Sequence, residues 1–321
     1  MNPNWLCRDY QPGDETKILE LFTIVFKRDL PLSFWLWRYR DNIWGQPIIR
    51  LLFDGDKLIG HYAVCASRLI IAGQEVPAVF SMTTMTHPDY GRQGIFPFLA
   101  EQVYAEAARQ GYKLVYGFPN NNSVHSFTRK LNWFDCGTMT SLVGKTPRSS
   151  ESHHEIYLHS PTRFNHDWQA DLSTMIDESR IHTKRTGDYL QWRYWGSPDS
   201  PYFPVIVLRR RSLIGLAVLK LYDDGPTRQT FGHIVEWFCA DTPAARSSLL
   251  DACFHFFRTK KVGKISSWVS NHELRSMLET AGFMPENSNF HFGCRWFDSM
   301  APIDIGDKAN WALVMGDCDV F

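Results

Sequence analysis

Three groups of residues in this chain have types and spacings that could do chemistry. The first is Thr86-His87-Pro88-Asp89-Tyr90-Gly91-Arg92-Gln93-Gly94-Ile95-Phe96, a polar turn with two glycines. It stands between a β-type run, Val79 to Met85, and an amphipathic run from Phe96 to about Gly111. A strand, a glycine turn and a helix start leave backbone N–H groups unpaired, pointing outward with partial positive charge. Glycine lets an anion come close to the backbone, so a pyrophosphate can sit there without a dedicated lysine. The second group is His61 and His125, since histidine titrates near neutral pH and can relay a proton through water. The third is an aromatic–arginine cluster that occurs twice, Trp37-Arg38-Tyr39 and Trp192-Arg193-Tyr194. Trp and Tyr stack on sugar or base faces, and Arg takes diphosphate oxygens in pairs. Each group also has a plain structural role open to it. His61 fits a hydrogen-bonded core residue and His125 an exposed helix residue. The arginines fit groups that cap carbonyls or pair with acids, and their occurrence in both halves favours that role.

These residues need a frame, and the hydrophobic pattern supplies one. Ile95, Leu99, Val103 and Ala107 recur at four-residue spacing, with Phe98 and Gln102 alongside, which predicts a helix with one core-facing stripe. Arg109-Gln110-Gly111 gives it a cationic last turn and a glycine stop. Tyr112 to Phe118 reads as a strand, and Asn120-Asn121-Asn122-Ser123 can cap a helix running to Leu131. Upstream, Ile48 to Phe53 and Lys57 to Ala66 form a hairpin around Asp54-Gly55. The second half repeats this order with weak identity. Val205 to Arg210 and Leu213 to Tyr222 form a hairpin around Arg211-Ser212. A strand follows over Gln229 to Ala240, then a helix over Pro243 to Lys260. The copy closes with a strand, Lys264 to Val269, and a helix, His272 to Ala281. In place of the glycine loop it has Asp241-Thr242-Pro243-Ala244-Ala245-Arg246. Asp241 at the N-cap with Pro243 at the first helical position is a favoured helix start, and it puts a carboxylate where a pyrophosphate would sit. The polar stretch Thr146 to Ser152 reads as a linker, which gives domains at 1–147 and 153–321.

Composition sets the limits. The 321 residues are 44% hydrophobic and 21% charged, with zero formal net charge, so the chain is globular and core-forming. The longest basic run is Arg209-Arg210-Arg211 inside a strand-like segment, so no nucleic-acid footprint is expected. Seven cysteines, Cys7, Cys65, Cys136, Cys239, Cys253, Cys294 and Cys318, form no C-x-x-C pair, which predicts reduced, mostly buried thiols. His153-His154 lacks a ligand-spaced partner, and no metal site is expected. With no apolar run of roughly 18 residues and no leader-like start, the expectation is a soluble cytoplasmic protein without a membrane partner.

The glycine loop resembles the coenzyme-A loop of the GNAT acyltransferase superfamily, Val-x-Pro-x-Tyr-Arg-Gly-x-Gly-x-Gly/Ala. Pro88, Asp89, Tyr90, Gln93, Gly94 and Ile95 stand at matching positions; Gly91-Arg92 inverts the usual Arg-Gly, and Phe96 replaces the last small residue. The next block resembles Asn-x-x-Ala-x-x-Leu-Tyr-x-Lys-x-Gly-Phe through Asn121, Val124, Phe127, Lys130, Asn132 and Trp133, with Thr128 at the tyrosine position. The whole chain is similar to two-domain GNAT proteins that acylate nucleotide-linked deoxyamino sugars in bacterial surface-polysaccharide pathways. Pro31 to Tyr39, Gly60 to Ala63, Met85 to Tyr90, Tyr116 to Ser123 and Trp192-Arg193-Tyr194 carry that likeness.

The resemblance implies an α/β (α+β) fold of two tandem GNAT-like domains, each a mixed, mostly antiparallel sheet flanked by helices. It implies direct attack of an amine on acyl-CoA, acetyl or longer, as co-substrate, with no permanently bound cofactor. Thr84, Met85 and Thr86 would hold the pantetheine, and the Thr84 N–H would face the oxyanion. Gly91, Arg92, Gln93, Gly94, Ile95, Phe96 and Asn121 would complete the coenzyme site. Trp37, Arg38, Tyr39 and Asn120 would meet a dTDP- or UDP-linked amino sugar. No Asp or Glu occurs from Phe80 to Met85, which leaves His61, His125 or bulk water to take the amine proton. Two other outcomes stay open. The acceptor could be another amine (an amino acid, a peptide or an aminoglycoside), or the chain could be an inactive acyl-CoA-binding scaffold. The chain is expected to act as a monomer or homodimer.

Overall fold

The computed structural model describes residues 4–146, 163–198, 202–224, 229–298 and 300–321. His153-His154 and residues 147–152 of the expected linker lie outside the described residues. The chain divides into two units. Unit 1 is Met1–Thr138 with Asn289–Asn310, and unit 2 is Met139–Ser288 with Trp311–Phe321. Both are discontinuous in sequence, which the reading of two consecutive domains does not include.

In chain order the first elements are β1 (Trp5–Asp9), α1 (Glu15–Phe26), α2 (Leu32–Trp35), β2 (Ile48–Asp54), β3 (Lys57–Ile71) and β4 (Gln74–Thr86). Next come α3 (Ile95–Arg109), β5 (Leu114–Gly117), α4 (Val124–Leu131), β6 (Phe134–Gly144), α5 (Gln169–Ser173), β7 (His182–Thr183) and α6 (Gly187–Leu190). The chain continues through β8 (Tyr202–Arg209), β9 (Ser212–Asp224), β10 (Gln229–Cys239), α7 (Pro243–Thr259), β11 (Lys264–Trp268), α8 (His272–Thr280) and β12 (Met284–Trp296).

In unit 1 the strands β1, β2, β3 and β4 pair antiparallel in sequence order. β4 then pairs parallel with β5, and β5 pairs antiparallel with the end of β12. The four-residue stripe of α3 behaves as expected: Ile95, Leu99, Val103 and Ala107 are buried against Ile48, Leu52, Ile59 and Val64. Burying Ile95, Leu99 and Val103 contributes about 1.5–3 kcal/mol each, so this stripe fixes the helix on the sheet. In unit 2, β11 pairs antiparallel with β6 and parallel with β10, and β10, β9 and β8 continue antiparallel. α7 lays Leu249, Leu250, Cys253 and Phe257 on Val205, Ala217, Leu219 and Ile234. Each unit is thus a mixed, mostly antiparallel sheet flanked by helices. The order β2-β3-β4-α3-β5-α4 returns as β8-β9-β10-α7-β11-α8.

Two local features differ from the sequence reading. Both Trp-Arg-Tyr clusters lie in π-helical turns, Leu36–Arg40 after α2 and Gln191–Trp195 after α6. π turns are rare, so the same turn at the same place in both copies supports the repeat more strongly than the sequence identity does. At the start of α7 the N-cap is Thr242, not Asp241; its side chain accepts from the Ala245 N–H at 3.2 Å, with Pro243 at the first helical position. Asp241 instead pairs with Arg246.

Candidate active site

The site in unit 1 begins where β4 and β5 part. Ala78, Val79 and Phe80 pair with Leu114, Val115 and Tyr116, and the register ends there. β4 continues to Thr86 beside β3 alone, while β5 stops at Gly117. A Cβ on Gly117 would lie 3.1 Å from the Ser81 carbonyl oxygen, so glycine lets the two strands stay close at the last level before they part. The split is pinned by a buried chain of hydrogen bonds. The Tyr62 hydroxyl lies 2.7 Å from both Ser81 Oγ and the Tyr104 hydroxyl. The Trp133 indole N–H donates to the Tyr104 hydroxyl at 3.1 Å. Burial pushes both phenols above the usual tyrosine range, so they stay neutral hydrogen-bonding groups.

Inside the split, β4 is bulged. His61 faces Met85 and Ala63 faces Met82, so Thr83 and Thr84 stand opposite Tyr62 alone. Thr83 takes φ 53°, a costly conformation for a β-branched residue. A bulge leaves an extra residue out of the ladder and re-aims its neighbours, which is what an N–H donor at Thr84 needs. The His61 ring supports the bulge, with Nδ1 2.9 Å from the Thr83 carbonyl oxygen. Its Nε2 is buried without a partner, and burial lowers its pKa to about 4. The ring is neutral at physiological pH, with Nδ1–H donating to Thr83. His125 is exposed on the first turn of α4.

His61 gives a pH prediction. Its folded pKa lies below the unfolded value near 6.5, so the stability it carries is complete above pH 6.5. That stability is lost as pH falls toward 4, by about 1.4 kcal/mol per pH unit. In urea melts between pH 7.5 and 4, wild type should lose more stability than His61→Gln. Equal losses would show that the ring is not held neutral.

The glycine loop follows β4. Pro88–Tyr90 forms a 3₁₀ turn capped by His87, whose Nδ1 accepts from the Asp89 N–H at 3.2 Å. Arg92 and Gly94 then take φ 62° and 76°, with Gly94 as the N-cap of α3. No side chain caps this helix, and residues 91–94 are exposed. The first hydrogen bond returning to the cap runs from Phe98 N–H to the Gly94 carbonyl, at 3.2 Å. Left-handed residues alternating at a helix start turn successive N–H groups into one concavity, which suits an anion. Phe96 points inward, its ring 5.6 Å from Tyr62 and 4.8 Å from Phe127, so its bulk packs into the core while its backbone stays at the helix start. Arg92 occupies a left-handed position that glycine adopts freely. Arg92→Gly should therefore raise the unfolding free energy by about 1 kcal/mol, read as a higher denaturant midpoint.

The β5 side of the split holds the asparagines. Asn120 Oδ1 accepts from the N–H groups of Asn122 and Ser123 at 3.0 and 3.1 Å, which shapes the turn into α4. Asn121 Oδ1 lies 3.1 Å from Nε2 of His291, whose Nδ1 is 3.1 Å from Asp135 Oδ1. Sequence reasoning missed His291 and Asp135. His291 lies on β12, in residues assigned to the second domain, and nothing local joins it to Asn121. The Thr128 hydroxyl is used within its own helix, donating to the Val124 and His125 carbonyls at 3.1 and 3.3 Å.

Apart from the half-buried Trp192, the Trp-Arg-Tyr clusters are buried. Trp37, Arg38 and Tyr39 lie in the π turn, with Tyr39 stacked on Trp35 at 5.1 Å and the Arg38 guanidinium 5.7 Å from the Phe80 ring. In unit 2, Arg193 donates to the Phe321 and Cys318 carbonyls at 2.7 and 3.3 Å, the carbonyl-capping role. Among the described residues no group of three His, Cys, Asp or Glu side chains could hold a metal ion, and no helix is long and apolar enough to cross a membrane.

Residues 7–134 match the family model described as acetyltransferase (GNAT) domain. No curated protein matches the chain. Among solved structures, a probable N-acyltransferase of Enterococcus faecalis V583 is similar at TM-score 0.68 and 12% identity, covering 91% of this chain and 72% of its own. A GCN5-related N-acetyltransferase of Anabaena variabilis ATCC 29413 is similar at TM-score 0.63 and 14% identity, covering 91% and 72%. Saccharomyces cerevisiae N-myristoyltransferase with bound myristoyl-CoA is similar at TM-score 0.63 and 11% identity, covering 97% and 88%. Residues 7–134 thus match a GNAT acetyltransferase domain model, and the chain as a whole shares the fold of these solved structures.

Proposed function

We propose, from the GNAT domain of residues 7–134, that the chain moves an acyl group from acyl-CoA to the amine of a dTDP- or UDP-linked deoxyamino sugar. One observation carries the coenzyme half of this reading. A bulged strand stands beside a parting strand pair and leads straight into an uncapped helix start with two left-handed residues. The exposed loop Gly91 to Gly94 and the first N–H groups of α3, at Ile95 and Phe96, take the pyrophosphate. The free edge of Thr84 to Thr86 takes the pantetheine amides, and the Thr84 N–H faces the developing oxyanion. The neutral amine attacks the thioester carbonyl, the C–S bond breaks, and the thiol leaves as coenzyme A. Trp37, Arg38, Tyr39 and Asn120 support the sugar assignment only through the sequence resemblance.

The proton has three candidate handlers. His61 is neutral but sealed at the bulge, and His125 is exposed. His291 lies between two acceptors, Asp135 Oδ1 and Asn121 Oδ1, so both ring nitrogens donate, and the ring serves the leaving thiolate as an acid rather than the amine as a base. His291→Ala should lower kcat by about 100-fold while leaving KM for acyl-CoA within a few-fold. A wild-type kcat in this variant removes His291 from the reaction.

The proposal is tested by calorimetric titration with acetyl-CoA, then by thiol release on adding a dTDP- or UDP-amino sugar. Absence of coenzyme binding would sink it. Release with a simple amine but not with the nucleotide sugars would move the acceptor to an amino acid, peptide or aminoglycoside. The Thr128 hydroxyl, committed to its own helix, favours a second reading, an acyl-CoA-binding scaffold without turnover; binding without thiol release is its signature.

A further inference from the structure

Unit 2 keeps the split-sheet cleft of unit 1 but rebuilds what surrounds it. β10 and β11 pair in parallel from Phe231 with Lys264 as far as Ile234 with Ser267, and then part. β10 is bulged at that level: Ile234 faces Leu219 and Glu236 faces Val218, leaving Val235 as the extra residue. The opening holds a cavity of about 100 Å³. Ile176, Phe238, Trp268, Val269 and Leu274 form its apolar wall.

Among the described residues no phosphate cradle adjoins this cleft. At the start of α7 one N–H is taken by the Thr242 side chain, Pro243 has none, and the Asp241 carboxylate stands beside it, paired with Arg246. A coenzyme diphosphate has no seat there.

The polar wall is buried. Arg185 Nε donates to both Glu236 oxygens at 3.0 and 2.9 Å, and its Nη2 donates to Asp317 Oδ1 at 2.8 Å. Arg180 is committed to the Ser270 and Trp311 carbonyls. With Asp177 at the rim, the charges lining or bonded to the lining are two arginines against three carboxylates. His182 is only 5% exposed. Its Nδ1 lies 3.0 Å from the Thr183 carbonyl, and so carries the proton, which leaves Nε2 as a buried acceptor with no partner. A buried acceptor with no donor costs stability, and that cost is removed when a ligand donates to it.

We propose that this cleft is a second ligand site, taking a small amine with an apolar ring or short chain through an N–H donated to His182 Nε2. The apolar wall receives the body, the excess carboxylate favours the cationic head, and the missing phosphate cradle excludes a coenzyme.

Phenethylamine is the probe, with 3-phenylpropionate as the acid of similar shape. Saturation-transfer NMR on the full chain should show phenethylamine bound at millimolar concentration and the acid at least about tenfold weaker. His182→Phe should weaken the amine about tenfold or more, and Val269→Trp, which fills the cleft from its apolar wall, should remove it. No binding to wild type, equal binding of the acid, or full binding to a folded His182→Phe overturns the proposal. If His182→Phe fails to fold, Val269→Trp decides: lost binding supports the site and retained binding overturns it.

Discussion

Replacing Gly94 with valine is expected to weaken acyl-CoA binding by about 100-fold. Gly94 takes φ 76° at the N-cap of α3, and a Cβ there would meet nothing within 4 Å. The substitution therefore causes no clash, and its effect is conformational. A β-branched residue in the left-handed region costs about 1–3 kcal/mol, and the loop relieves that cost by turning away. The N–H groups at Gly94, Ile95 and Phe96 then no longer converge. Hydrogen bonds to a charged group contribute about 1.5–3 kcal/mol each, so losing one or two accounts for a change of about 2.7 kcal/mol, or 100-fold. Calorimetry reads the affinity, and a melt shows that the fold persists, because the side chain points into open space. Gly94→Ala should fall between the two. Unchanged affinity in the valine variant would remove the loop from the coenzyme site.

Arg185→Met is expected to destabilise the protein by about 3–5 kcal/mol, the largest single stability loss anticipated here. Arg185, Glu236 and Asp317 are each at most 6% exposed. Without the guanidinium, two buried carboxylates face each other with the Tyr194 and Thr183 hydroxyls and the Val314 N–H left to satisfy them, at 2.6, 2.7 and 2.9 Å. Burial already pushes the Glu236 carboxyl up, with Arg185 opposing it. The variant should regain part of the loss when Glu236→Gln is added, because the uncompensated charge falls by one. Urea midpoints of wild type, single and double variants give the comparison. A loss under about 1 kcal/mol would mean that water reaches the cluster.

Much of the frame was legible because its causes are local. The α3 stripe, both hairpins and the glycine stop depend on residues within a few positions of each other; α3 appears within two residues of its expected bounds, while β3 runs five residues past the expected Ala66 and β8 starts three before the expected Val205. The glycine loop was legible for the same reason. The Thr83–Thr84 bulge was not, since a bulge is a property of register between two strands and Thr83 carries no glycine to announce its positive φ. The π turns were hidden because Leu36–Arg40 has an ordinary helical composition. The choice between Asp241 and Thr242 as cap turned on which side chain the Ala245 N–H reaches, and Arg246 decided it by drawing Asp241 away. The His291–Asp135 pair joins residues 156 positions apart, beyond any local pattern.

The discontinuity of the two units has a consequence for synthesis. Unit 1 is completed by Asn289–Asn310, and the part of β12 that pairs with β5, Gly293–Trp296, belongs to that segment. Until it leaves the ribosome, the Leu114–Gly117 strand has an open hydrogen-bonding edge, and Asn121 lacks His291. At roughly 5–20 residues per second, the intervening residues take on the order of ten seconds to emerge. A nascent chain that already has its glycine loop therefore still lacks one wall of the cleft. A product broken off in the second half would keep the loop and lose the wall, so the completed site reports that translation has passed β12.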